Sequence, residues 1–174
     1  EEGRTWVVTG RERHVASARE SSLPYPMRAI RTRDFLYIHN FAPDRWPTGD
    51  PQGLDDLNAE APSWESILSN TRVAYPDMDG GPTKAWMIHH RSEEDVKMLF
   101  HIGFGKRPRE ELYDLGVDPD HMNNVADHPN YQDTRKNLAD KLMCVLREND
   151  DPRLMESPCR FEHAPYAGPV VTPP

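Results

Sequence analysis

The sequence predicts an α+β fold, a small antiparallel sheet with a long C-terminal helix packed on it, and three stretches carry that prediction. Residues 27–31 and 35–39 alternate apolar and polar positions on either side of Thr32-Arg33-Asp34, the pattern of a β-hairpin. Glu110-Glu111-Leu112-Tyr113-Asp114-Leu115 alternates as a strand and stops at Gly116 and Asp118-Pro119. From about Tyr131 to Arg147, Leu138, Leu142, Val145 and Leu146 recur every three to four residues while Arg135, Lys136, Asp140 and Lys141 can face water, so this is an amphipathic helix. The hairpin and the later strand are expected in one sheet, with the helix lying on it through Leu138, Leu142 and Val145.

The remaining elements follow in order. Thr5-Trp6-Val7-Val8-Thr9 favours β-structure and ends at Gly10; because Trp6, Val7 and Val8 are apolar on both faces, it is expected to be buried on two sides, as in a parallel sheet. Phe41 to Gly53 carries Pro43, Pro47, Gly49, Pro51 and Gly53, and reads as a long loop. Ser63 can cap a short helix over Trp64 to Leu68. Pro76 to Pro82 is rich in turn residues, and Thr83 is then expected to cap one helix from about Lys84 to Phe100. From Pro152 onward there are six prolines and no periodicity, which predicts a tail that wraps the surface or stays disordered.

Composition narrows the function classes. The net charge is −8, which argues against nucleic-acid binding, since such proteins need a basic face. Charge is uneven, however: between Arg11 and Arg33 six arginines face two glutamates. No run of about 18 apolar residues is present that could span a membrane. Pro is 17 of 174 residues, about twice the usual share, so loops should be many. Two cysteines, Cys144 and Cys159, are too few for a disulfide scaffold or a four-cysteine zinc site; they form one bridge or remain two unrelated thiols.

Catalytic motifs are sparse. The histidines, His89-His90 among them, lack metal-ligand spacing, and there is no Gly-rich phosphate loop, nucleophile elbow or paired-cysteine motif. Arg11-Glu12-Arg13-His14 is the constellation that invites a functional role. It follows a strand, and guanidinium forks suit sulfate or carboxylate oxygens. The alternative is an exposed basic loop paired with Glu12 and Glu20.

The order of motifs resembles one family. Thr9-Gly10-Arg11-Glu12-Arg13-His14, then Tyr25-Pro26-Met27-Arg28-Ala29-Ile30-Arg31-Thr32, then Phe35-Leu36-Tyr37-Ile38-His39-Asn40 resembles the stretch where the catalytic domain of sulfamidase-like sulfatases passes into the C-terminal domain. Arg107-Pro108, Glu110 to Leu115, Asp118-Pro119, Asn123-Asn124-Val125-Ala126 and Asn149-Asp150-Asp151-Pro152-Arg153 look like the C-terminal signature of the formylglycine-dependent sulfatases. The Tyr-Pro-Met-Arg run points to the heparan N-sulfatase branch.

That resemblance implies an alkaline-phosphatase-like fold, of which residues 1–24 would be the last strand and loop of the catalytic domain, 25–153 the C-terminal domain and 154–174 a Pro-rich tail. It implies hydrolysis of sulfate esters or N-sulfate groups on glycans by a formylglycine nucleophile and a Ca²⁺ ion. The groups that hold these lie upstream of residue 1 in the family, so no catalytic or metal residue is assigned here. Ser157-Pro158-Cys159-Arg160 has the wrong order for the nucleophile motif Cys-x-Pro-Ser-Arg. His14, Arg11 and Arg13 match the pocket rim beside the substrate sugar and are carried over as substrate-binding, and Arg28, inside the hairpin, reads as structural. The implied partners are a sulfated carbohydrate and the N-terminal catalytic domain, with self-association through the first strand in its absence, and the implied location is periplasmic or secreted. A non-catalytic module that binds acidic glycans, or a purely structural domain, is the competing reading.

Overall fold

The computed structural model describes residues 3–163. In chain order its elements are strands β1 (Trp6–Arg11), β2 (Met27–Thr32) and β3 (Phe35–Asn40), helices α1 (Trp64–Ser69), α2 (Pro82–His89) and α3 (Glu94–Phe104), strand β4 (Glu110–Asp114), and helices α4 (Gln132–Glu148) and α5 (Pro152–Met155). They divide into two compact units, one of residues 3–12, 25–43 and 108–163 and the other of residues 13–24 and 44–107.

The first unit is the expected sheet and helix. Its four strands run antiparallel in the order β1, β2, β3, β4. The hairpin forms as read, with Ala29 opposite Ile38 and the Phe35 N–H donating to Thr32 Oγ1 at 2.9 Å across the turn. The register sets Val8 beside Ile30, Ile30 beside Tyr37 and Tyr37 beside Leu112, one continuous apolar row. Against that row α4 buries Leu138, Leu142 and Leu146. Burial of each such side chain contributes about 1.5–3 kcal/mol.

Two expectations in this unit are corrected. Residues 6–11 do not form a strand buried on both sides in a parallel sheet: β1 is an edge strand paired antiparallel with β2, and its burial alternates. Trp6 and Val8 face the helix core, and Val7, opposite Arg31, is 39% exposed. The apolar run misleads because Trp6 is covered by α4 and Lys141, whose Nζ lies 4.7 Å from the indole centre, rather than by a second layer on the other side. On α4 it is Leu146, not the half-buried Val145, that completes the inner stripe, since 138, 142 and 146 keep a strict four-residue spacing. The start of the tail is also ordered: Asp151 caps α5 by accepting the Arg153 N–H at 2.9 Å, and residues 160–162 make a helical turn. The later tail, residues 164–174, lies outside the described residues. Cys144 is exposed and Cys159 buried, and both are free.

The second unit builds a separate core of Leu54, Ile67, Ala74, Tyr75, Ala85, Ile88, Phe100 and Phe104. The Tyr75 ring lies 6.0 Å from Phe100 and 4.8 Å from Phe104, edge-on and tilted. Ser63 caps α1 as expected, accepting the Ser66 N–H. The single helix expected over residues 84–100 is two helices instead. Gly81 is the cap in place of Thr83 and Pro82 takes the first helical position, so α2 starts two residues earlier than expected, and the chain breaks after His89. At the break the buried Arg91 guanidinium donates to the Ile88 carbonyl, an acceptor that a continuous helix would use, and also to the carbonyls of Asp56 and Ala59 in the preceding loop. The two-helix geometry explains the imperfect period: Val96, Phe100 and Phe104 are buried, whereas Trp86 and Leu99 are 41% and 43% exposed. Among the described residues no helix is long and apolar enough to cross a membrane.

Candidate functional site

The basic stretch after β1 divides between the two units. Arg11 closes β1 in the first unit, where it lines a cleft of about 310 Å³ together with Gly10, Glu12, Arg28, Asp151 and Phe161. Arg13 and His14 open the second unit. The structure therefore describes Arg13 and His14 within one local arrangement and Arg11 within another.

In the second unit residues 13–24 have little regular structure, so their backbone groups and arginines must find partners elsewhere. Asp77 is the hub. Its Oδ1 accepts the Val15 N–H at 2.8 Å, its Oδ2 accepts the Arg19 guanidinium at 2.5 Å, and its carbonyl oxygen lies 3.2 Å from Nδ1 of the exposed His14. Arg19 also donates to the carbonyls of Trp46 and Pro47 at 2.7 and 2.8 Å, and the side chains of both Arg19 and Asp77 are almost wholly buried. Arg13 donates its Nε–H to the Ser22 carbonyl at 2.9 Å. The Asp50 N–H donates to Ala18 O and the Asp77 N–H to Thr48 O, at 2.8 and 2.9 Å, so that segments 48–50 and 75–77 run under the loop. Gly49 is required there. Its φ is +95°, and a Cβ would stand 2.6 Å from Pro76 Cδ and 2.9 Å from Ala18 O.

Lys84 holds the other side of the same segment. Its ammonium, 2% exposed as a residue, donates to the carbonyls of Thr71, Tyr75 and Met78 at 3.0, 3.3 and 2.9 Å. Burial lowers its pKa to about 8, against a smaller opposing pull from Asp79. Neither Asp77 nor Lys84 stands out in the sequence: Asp77 sits in a turn and Lys84 on a short helix. A signal does exist in hindsight, the run of breakers from Pro76 to Pro82, whose backbone carbonyls need donors.

In the first unit Arg28 is structural, as its place in the hairpin suggests. Its guanidinium donates to Glu12 Oε1 at 2.8 Å and to Asp151 at 2.7 and 3.1 Å, and Arg153 donates to Glu12 and Glu162. Burial alone would depress the Arg28 pKa; the hydrogen bonds and charges of Asp151 and Glu12 outweigh it and raise it. The pairs tie the end of β1 and β2 to the region after α4. Gly10 leaves room for this, since a Cβ there would lie 2.6 Å from Arg28 Cδ.

As for metals, no group of three or more His, Cys, Asp or Glu side chains among the described residues could hold an ion.

No family model matches the chain. It is 27% identical over 136 residues, 78% of its length, to human N-sulphoglucosamine sulphohydrolase, and it spans 22% of that relative. A solved structure of BT4656 in complex with its substrate D-glucosamine-2-N,6-O-disulfate aligns at 16% identity and a TM-score of 0.41, over 89% of this chain and 18% of that one. The resemblance carried by the motifs is thus joined by a likeness to one sulphohydrolase over 78% of the chain, which spans about a fifth of that relative's length.

Proposed function

We propose that this chain acts as the C-terminal part of a sulfatase that hydrolyses sulfate esters or N-sulfate groups of sulfated glycans, that it is inactive alone, and that His14 with Arg13 and Arg11 contributes to binding the anionic sugar. The observation that carries this reading is the match to the sulphohydrolase over 78% of the chain. The formylglycine nucleophile and Ca²⁺ of the family would then be supplied by a catalytic domain outside these residues, in an exported protein. The local geometry supports the substrate-facing role: His14 is exposed, and the loop that carries it is pinned by Asp77 and Arg19 rather than left to find its shape on binding.

The test has two parts. The 174-residue chain, assayed with calcium, is expected to turn over neither an aryl sulfate nor a sulfated glucosamine, because it lacks the groups that stabilise the leaving sulfate; calcium-dependent turnover overturns the reading. Titrated with glucosamine-2-N,6-O-disulfate, the chain should bind, and His14→Ala should weaken that binding roughly tenfold or more, the usual effect of losing one charge-assisted hydrogen bond. Unchanged affinity would remove His14 from the site.

A further inference from the structure

Asp77 grips the loop at His14 and just after it: its carboxylate holds the Val15 N–H and its carbonyl meets the His14 ring. A carbonyl oxygen only accepts, so this hydrogen bond places a proton on His14 Nδ1 and leaves Nε2 as the ring's available atom. We propose that Asp77 is a positioning residue for ligand contact: by holding Nδ1 it fixes the imidazole with Nε2 presented to an oxygen of an anionic sugar substituent. The proposal rests on the reading of His14 as substrate-facing.

The chemistry of such an oxygen adds a condition. A sulfate or sulfamate oxygen only accepts, so Nε2 must donate, and with Nδ1 already protonated the ring must be the imidazolium. The charged groups on the elements that hold the ring come from two segments. From the loop itself these are Arg13, whose Nε is held on Ser22 O, and Arg19. From the 75–78 segment it is Asp77, whose carboxylate is taken up by Arg19 and the Val15 N–H and so does not compete for the ring. Asp77 is itself fixed by its N–H on Thr48 O at 2.9 Å, and the carbonyls of Tyr75 and Met78 on either side of it are held by Lys84.

Nitrogen chemical shifts of His14 in the ¹⁵N-labelled 174-residue chain test this. At a pH where the ring is neutral, the wild-type protein should show the Nδ1–H tautomer; Asp77→Ala keeps the carbonyl that accepts from Nδ1 but removes the carboxylate that holds the Val15 N–H and Arg19, so the loop is no longer held against that carbonyl and the ring should shift toward the Nε2–H form that free histidine prefers. On titration with glucosamine-2-N,6-O-disulfate, Nε2 should move in the wild type, and Asp77→Ala should need at least threefold more ligand for the same movement. An unchanged tautomer and unchanged ligand response in folded Asp77→Ala overturn the proposal. If that variant does not fold, the wild type still decides, because an Nε2–H tautomer there contradicts the positioning outright. A wild-type ring that has the Nδ1–H tautomer, loses it in Asp77→Ala, and never responds to the disulfate would uphold the positioning of the ring and sink the reading of His14 as substrate-facing.

Discussion

The two units bury cations by opposite means. In the first, Arg28 and Arg153 are neutralised by carboxylates, Glu12, Asp151 and Glu162, with Arg28 also reaching the carbonyls of Met27 and Arg11. In the second, Lys84 and Arg91 end on backbone carbonyls, and Arg19 uses two carbonyls besides Asp77. The difference follows from secondary structure. In a sheet and a long helix the carbonyls are largely spent on the ladder and on the helix's own turns, so a buried guanidinium makes most of its hydrogen bonds to charged partners. Loops leave carbonyls unpaired, and a lysine or arginine drawn inside satisfies them while its own charge is only partly offset.

Removal of Arg28 is the largest expected break in that contrast. Arg28→Met leaves Asp151 without its hydrogen-bonded cation and Glu12 with only Arg153, and should cost about 3–5 kcal/mol, seen as faster hydrogen exchange across β1 and β2. Burial would raise the Asp151 pKa, but its hydrogen bonds and charge partners hold it below its ordinary 3.8. A depressed carboxyl contributes stability that is present above the unfolded value and lost as pH falls through the folded one. The first unit of the wild type should therefore lose stability below about pH 4, and Arg28→Met should remove most of that slope.

Gly49→Ala should act on the second unit alone. A side chain at φ +95° that also meets Pro76 and Ala18 O should cost about 2–3 kcal/mol and loosen residues 13–24, measured by exchange of the Val15 and Asp50 amides. Equal loss in β2 would contradict an effect confined to the second unit.

The smallest effect is a matter of pH. Lys84 has a folded pKa of about 8 against 10.5 for the free side chain, so between those values the unfolded chain binds more protons than the native one. Stability of the second unit should therefore rise as pH climbs from about 8 to 10, and Lys84→Met should abolish that rise. A flat profile in the wild type would mean that the three carbonyls compensate the buried charge completely.

The first unit was legible where the pattern is local. Period-two alternation gave the 27–39 hairpin and the 110–114 strand, and the spacing of Leu138 and Leu142 gave α4. Legibility failed where a neighbour decides. Trp6-Val7-Val8 reads as apolar on both faces, yet β1 lies at a sheet edge; the 84–100 stretch reads as one helix, yet Arg91 caps its first half. At the candidate site the sequence singled out His14 and Arg13 as chemistry, and missed Asp77 because His14, Val15 and Arg19 reach it across 63, 62 and 58 residues of chain.

By itself, then, the sequence determined the strands, the amphipathic helix and the order of motifs that resembles the sulfatases, because each depends on residue spacing within one element or along the chain. Only the tertiary structure decided which cations go inside and what receives them. Loop carbonyls carry no mark in the sequence, and whether one becomes a partner for Lys84, Arg91 or Arg19 depends on which distant segment the folded chain brings within about 3 Å of it.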